Sequence, residues 1–235
     1  VVVPHPYIWQ AGWSPDGEMF VISVPGRSAA GISRDDVIYA YDRNGNLLWK
    51  YVAEGMHFTP GQDLWRKSFI ISDKYIISPY FYGIIVLNHR GNLVKNIKLK
   101  GSGFYLKLSK DSSNLLAWCF EHLAIIDLNS FDVYIWSWKG DMSPHIADAD
   151  FIDANKIAAI VTKYKKEWLG KEISDDKKFE GEIIVINREK GAILKEPILI
   201  NYYRSPNIFV NRNDIIITSY TKRNGMIKFR LKEEK

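Results

Sequence analysis

The sequence predicts an all-β fold, a β-propeller of four-stranded antiparallel blades. Three observations predict it. A strand–turn–strand pattern recurs along the chain, and each copy follows another hairpin, so that four strands make one unit. The unit repeats at about 40–45 residues apart from one longer insertion, the spacing of propeller blades. Helical readings fail almost everywhere, because the apolar runs are short, β-branched and aromatic, and bounded by turn residues.

The pattern is clearest in "VIYAYDRNGNLLWKY", Val37 to Tyr51, where alternating residues run up to Asn44-Gly45 and a second alternating run carries Trp49. Its counterparts are "GIIVLNHRGNLVKNIKL", "LAIIDLNSFDVYIWSW" and "EIIVINREKGAILKEPIL". Each is an apolar strand, then Asp42, Asn88, Asp127 or Asn187, then a tight polar turn and an alternating strand. An Asp or Asn there can bond its own backbone two residues on and start the turn. Asn44-Gly45 and Arg90-Gly91 supply the residues tolerant of positive φ that short hairpins require.

Upstream hairpins complete the units. They are "IWQAGWSPDGEMFVISV", "WRKSFIISDKYIISPYF", "FYLKLSKDSSNLLAWCF" and "DADFIDANKIAAIVTK", and a fifth, "PNIFVNRNDIIITSY", runs into "GMIKFRL". With strands named A to D from the axis outward, the fifth unit has A, B and C. The leftover Val1–Val3 is expected to supply its D strand, giving five blades closed by the N-terminal strand, since closure removes exposed edges. A fragment of a six- or seven-bladed propeller is the alternative. The domain expectation is a single propeller over 1–235 with an insertion at 163–181. That insertion, "TKYKKEWLGKEISDDKKFEG" from Thr162, is the best helix candidate, but it is polar and Gly170 interrupts it.

Bulk composition bounds the function classes. The chain has 235 residues, 46% hydrophobic and 25% charged, an ordinary globular balance. The net charge of +5 is spread out; it fits a solubility charge and permits acidic partners. One cysteine, Cys119 in "NLLAWCF", excludes an internal disulfide framework and reads as a small buried hydrophobe. No apolar run approaches the ~18–20 residues of a membrane span. The chain starts "VVVPHPY" without Met, so a removed signal peptide stays compatible with the sequence, although a cytoplasmic location is the expectation. Abundant Lys and Ile, with Gln only at Gln10 and Gln62, give an archaeal-like composition and point to a thermophile, against which the Asn content argues.

These residues resemble two repeat families. "YAYDRNGNLLWK" is similar to a quinoprotein-type (PQQ-like) propeller repeat, and "WSPDGEMFVIS" and "AIIDLNSFDVYIW" resemble WD-repeat blades. "HIADADFIDANKIAAI" is WD-like at its His and its turn. No Gly-His pair is present and no Trp-Asp pair ends a strand. No residues match a quinone-cofactor or calcium site, so the resemblance implies the fold and no cofactor.

In an up-and-down blade the A–B and C–D turns fall on one face, and the B–C and D–A connections on the other. The first group is short: "SPDGE", "ISDK", "RNGN", "HRGN" and "NREKG". The second includes Val24–Asp36, Ala53–Asp63, Lys139–Asp150, the insertion and Asn201–Pro206. Long connections on a rigid scaffold are where binding residues concentrate. The candidate binding residues are Arg27, Arg34, His57, Trp65, Arg66, His145, Trp168, Tyr202, Tyr203 and Arg204. Tyr, Trp and Arg dominate interface hot spots because they bury large area and keep a polar tip. His5, His57 and His145 share the face, but they come from non-adjacent blades and no metal site is expected. Asp148 and Asp150 could pair as glycosidase carboxylates, although capping of turns is the favoured reading. No Gly-rich phosphate loop or nucleophile elbow appears. The expected function is a non-catalytic scaffold binding a macromolecular partner, another protein, through the loop-rich face. A carbohydrate or nucleic-acid binding module and a glycan-acting enzyme with a central pocket are the alternatives.

Overall fold

The computed structural model describes residues 8, 10–24, 35–56, 58, 69–101, 103–119, 122–137, 143–164, 178–201, 207–211, 214–219 and 225–230. The chain groups into two compact units, Val1–Lys107 and Leu108–Lys235. In the first, β1 (Gln10–Trp13), β2 (Met19–Val24), β3 (Asp36–Asp42) and β4 (Leu47–Ala53) make an antiparallel sheet in chain order. β5 (Ile70–Ile71), β6 (Tyr75–Tyr80), β7 (Gly83–Asn88) and β8 (Leu93–Lys98) make the second. The third holds β9 (Tyr105–Leu108), inside which the unit division falls, then β10 (Asn114–Trp118), β11 (His122–Asp127) and β12 (Val133–Ser137). β13 (Ser143–Phe151), β14 (Lys156–Tyr164), β15 (Lys178–Asn187) and β16 (Gly191–Asn201) form the fourth. The fifth has β17 (Asn207–Asn211), β18 (Asp214–Ser219) and β19 (Gly225–Arg230), three strands among the described residues. Consecutive four-stranded up-and-down sheets are propeller blades, and the fold is the all-β propeller that the sequence predicts. Val1–Val3, the expected closing strand, lie outside the described residues.

Polar side chains fold the turns. In each C–D turn the predicted Asp or Asn accepts from the N–H two residues on: Asp42 from Asn44, Asn88 from Arg90, Asp127 from Asn129 and Asn187 from Glu189, at 2.8–2.9 Å. Three of the A–B turns use a buried serine instead. The hydroxyls of Ser14 and Ser109 each accept from the first N–H of the next strand at 2.9 Å, and Ser72 does the same for Tyr75 at 3.0 Å.

Blades then pack through apolar faces. In the first unit one buried cluster joins Val21, Ile38 and Ala40 of the first sheet to Ile76, Ile85 and Leu87 of the second. Trp49 packs against it, as its place between blades requires. Its indole Nε1 donates to the His89 carbonyl at 2.8 Å, and its ring lies where a Cβ on Gly91 would come within 2.6 Å. Strict alternation along the run that carries Trp49 would put Leu47 on the same face, and the structure corrects this. Trp49 pairs with Ala40 but Leu47 pairs with Tyr41, so Leu48 is an extra residue, a β-bulge that breaks the alternation. Leu47 is accordingly exposed. Equivalent bulges fall at Val94 in β8 and Ile193 in β16. Bulges blunt outer edges against pairing with other chains, as does Pro197 in β16.

In the second unit, Ala158, Ile160, Ile183 and Val185 of the fourth sheet pack with Ile208, Ile215 and Ile217 of the fifth. Strand also replaces two expected connections. Ser143–Asp150, read as part of the Lys139–Asp150 connection, lies in β13. The helix candidate begins as β14, which runs to Tyr164, and ends in β15, which starts at Lys178; 165–177 lie outside the described residues.

Candidate functional site

Tyr80 at the end of β6 pairs directly with Gly83 at the start of β7, so Phe81 and Tyr82 form a two-residue B–C turn. The backbone fixes this turn. A Cβ on Gly83 would sit 2.1 Å from the Ile97 carbonyl oxygen of β8, so only glycine allows this approach. The Tyr82 carbonyl accepts from the Leu99 N–H at 2.9 Å. Beneath the turn, the buried Tyr80 hydroxyl donates to Asn96 Oδ1 at 2.7 Å. Burial pushes the Tyr80 pKa up, so the phenol remains a donor at neutral pH. Phe58 forms an isolated bridge with Tyr80, and its own N–H donates to the buried Asp36 carboxylate.

The backbone bonds close this turn without either ring's help. Phe81 is 40% exposed and Tyr82 71%, the largest exposure among the described large apolar and aromatic side chains. Their centroids lie 6.1 Å apart with ring planes tilted at 47°, so the two rings touch each other. Lys98, paired with Gly83, is exposed beside the turn, as is Lys100. A fixed pair of exposed rings edged by ammonium groups can bury an apolar side chain and attract negative charge.

Sequence reasoning missed this pair. It placed Phe81 at the end of a strand and gave Tyr82 no role. Two aromatics immediately before a glycine, in "SPYFYG", were the available signal. Of the candidate binding residues, His145 alone is described. It lies half-buried within β13, paired with Thr162, whose hydroxyl donates to the His145 carbonyl at 3.1 Å. Arg27, Arg34, His57, Trp65, Arg66, Trp168, Tyr202, Tyr203 and Arg204 lie outside the described residues, as does His5.

The paired carboxylates are engaged with backbone. Asp148 Oδ2 accepts from the Ile208 N–H at 2.9 Å, and Asp150 Oδ2 from the Val210 N–H at 3.2 Å. Their Oδ1 atoms accept from Ala149 and Phe151. The two carboxylates thus clamp alternate N–H groups of β17, the first strand of the fifth sheet. His89 Nε2 meets the Ser72 carbonyl at 2.8 Å and His122 Nδ1 the Ser137 hydroxyl at 2.9 Å. Among the described residues no helix is long and apolar enough to cross a membrane.

No family model matches the sequence, and no curated protein matches it. Among solved structures, the chain is similar to a member of the DUF4221 family from Bacteroides vulgatus, at 12% identity and a TM-score of 0.55 over 96% of this chain and 79% of that one. It is also similar to a eukaryotic initiation factor, at 13% identity and a TM-score of 0.51 over 96% of this chain. The chain spans about half, 52%, of that second protein. A WD40 domain of Neurospora crassa Pan2 aligns at 13% identity and a TM-score of 0.43, over 93% of this chain and 79% of that one. At such identities the first two likenesses bear on the fold alone.

Proposed function

We propose that the chain is a non-catalytic propeller scaffold that binds another protein through its loop-rich face. The exposed Phe81–Tyr82 turn carries this reading. Leaving two rings in water is unfavourable, and nothing in the local hydrogen bonding needs them. In the same unit the sequence puts Arg27, Arg34, His57, Trp65 and Arg66 in or beside the expected connections of that face. An enzymatic reading finds less support, because Asp148 and Asp150 spend their oxygens on backbone N–H groups.

The test is affinity capture from native lysate with the wild type and with a Phe81→Ser/Tyr82→Ser variant. Proteins retained by the wild type and lost from the variant, with both chains equally folded by circular dichroism, would bear the reading out. An identical retained set would remove this turn from the binding surface.

A further inference from the structure

We propose that β12, the outer strand of the third blade, is a self-pairing edge. It joins the β12 of a second copy of the chain, antiparallel about Ile135, to give a weak and reversible dimer. This goes beyond the protein-binding reading above and rests on none of its residues.

The backbone of β12 comes first. The strand ends its sheet, so one side of it pairs with β11 and the other side has no neighbour in that sheet. The Asp127 N–H donates to the Asp132 carbonyl at 3.0 Å, which sets the phase of the ladder. Alternation then turns the N–H and C=O of Tyr134 and Trp136 toward β11, and those of Val133, Ile135 and Ser137 outward. Such a row is a template for another strand unless the edge is guarded. The other described outer strands are guarded. β4 has its bulge and Lys50, and β8 its bulge, Lys95 and Lys98. β16 has its bulge, Lys195, Glu196 and Pro197, and β19 carries Lys228 and Arg230. Among them β12, "VYIWS", alone combines an unbroken register with no proline and no charged side chain. Its Val133 is 39% exposed and its Ile135 49%.

Charge and symmetry name the second copy. The chain has a net charge of +5, so two copies repel, and self-pairing of any other described outer strand would carry lysines of both into the seam. β12 carries none. Antiparallel pairing about Ile135 sets Ile135 opposite Ile135 and Val133 opposite Ser137, and each such pair exchanges two backbone bonds, about six in all. It also sets Tyr134 opposite Trp136 at both ends, on the other face of the sheet, and cross-strand aromatic pairs favour association. The exposed Asp132 before the strand accepts from the Ser130 hydroxyl at 2.8 Å. In the antiparallel arrangement the two Asp132 residues lie about 20 Å apart, more than two Debye lengths at physiological salt. Parallel pairing would set them side by side. One strand on one strand buries less than a standard interface, so the dimer dissociates with a Kd on the order of 100 µM.

The experiment is sedimentation equilibrium of the full chain across a range of about 5–500 µM, which brackets that constant. The average mass of the wild type is expected to rise toward twice the 27.1 kDa of one chain. Ile135→Lys and Ile135→Glu should each weaken association about tenfold or more, because each sets two like charges opposite one another. Leu48→Lys, a matching change at the bulged edge of β4, should leave it unchanged. An equimolar mixture of the two Ile135 variants should associate again, since position 135 meets itself across the seam, and that recovery also shows that both variants are folded. A wild type that stays at 27.1 kDa throughout would overturn the proposal. So would an Ile135→Lys chain that associates like the wild type, or a Leu48→Lys chain that loses association as fully. A mixture that stays apart would overturn the pairing about Ile135. A monomeric wild type that binds an unrelated extended peptide in an Ile135-dependent way would overturn it in favour of a foreign strand.

Discussion

The turn at Asp42–Asn46 and the turn at Phe81–Tyr82 each join two strands of one blade, in adjacent blades of the same unit, and they are built by opposite means. At the first, side chains do the folding. Asp42 Oδ1 accepts from Asn44 and Asn46, and its other oxygen accepts from the Asn46 amide. At the second, the backbone does it, through Gly83 and the Tyr82 carbonyl, and the side chains are left over. A turn that consumes its polar groups has little left to offer a partner. A turn closed by glycine and main-chain bonds can carry any side chain, so exposed aromatics there point to binding.

The comparison breaks most visibly at Gly83. Gly83→Ala should cost about 3 kcal/mol in denaturant titration, because its Cβ meets backbone that cannot swing away. A cost under about 1 kcal/mol would mean the turn relaxes easily. Next comes the carboxylate clamp. Asp148→Ala should cost about 1–3 kcal/mol by leaving the buried Ile208 N–H unpaired, and Asp148→Asn should cost less by keeping an acceptor. Equal losses for both would show that the charge, not the acceptor, matters.

The polar turns can be tested together by acid. The Ser14 hydroxyl and then the Glu18 N–H hold the Asp16 pKa below its ordinary value, and the Asn46 amide does the same for Asp42. Ser130 and Asn129 N–H groups lower Asp127, and the Ser109 and Ser113 hydroxyls take Asp111 to about 2. Groups lowered on folding contribute stability above their unfolded values, about 3.9 for Asp, and lose it as pH falls through the folded ones. The melting temperature should therefore fall between about pH 4 and pH 2 on account of these turns. Asp111→Asn should lower it at pH 7 and have less effect at pH 2. An effect as large at pH 2 as at pH 7 would contradict this assignment. The smallest effect on stability belongs to the aromatic turn: Phe81→Ser/Tyr82→Ser should stay within about 0.5 kcal/mol of the wild type, and a larger loss would make the rings structural.

Much of the architecture was legible because it is local. The strand order and the turn-starting Asp42, Asn88, Asp127 and Asn187 follow from alternation and turn chemistry within a few residues. The bulge at Leu48 was not, since one extra apolar residue in "NLLWK" leaves the pattern intact while reversing the parity. The Phe81–Tyr82 turn was hidden by its own composition, because "SPYFYG" reads as continuing strand. The partners of Asp148 and Asp150 lie 60 residues away, beyond any local pattern. The expected Lys139–Asp150 connection takes in His145, whereas β13 already runs from Ser143.

The most direct measurement places a photo-crosslinking benzoylphenylalanine at position 82, with Asn44 of the polar turn as the matched control, and irradiates each chain in native lysate. The account predicts a discrete protein adduct from position 82 and none of that size from position 44. No adduct from position 82, or the same adducts from both positions, would contradict the claim that the aromatic turn is the one reserved for a partner.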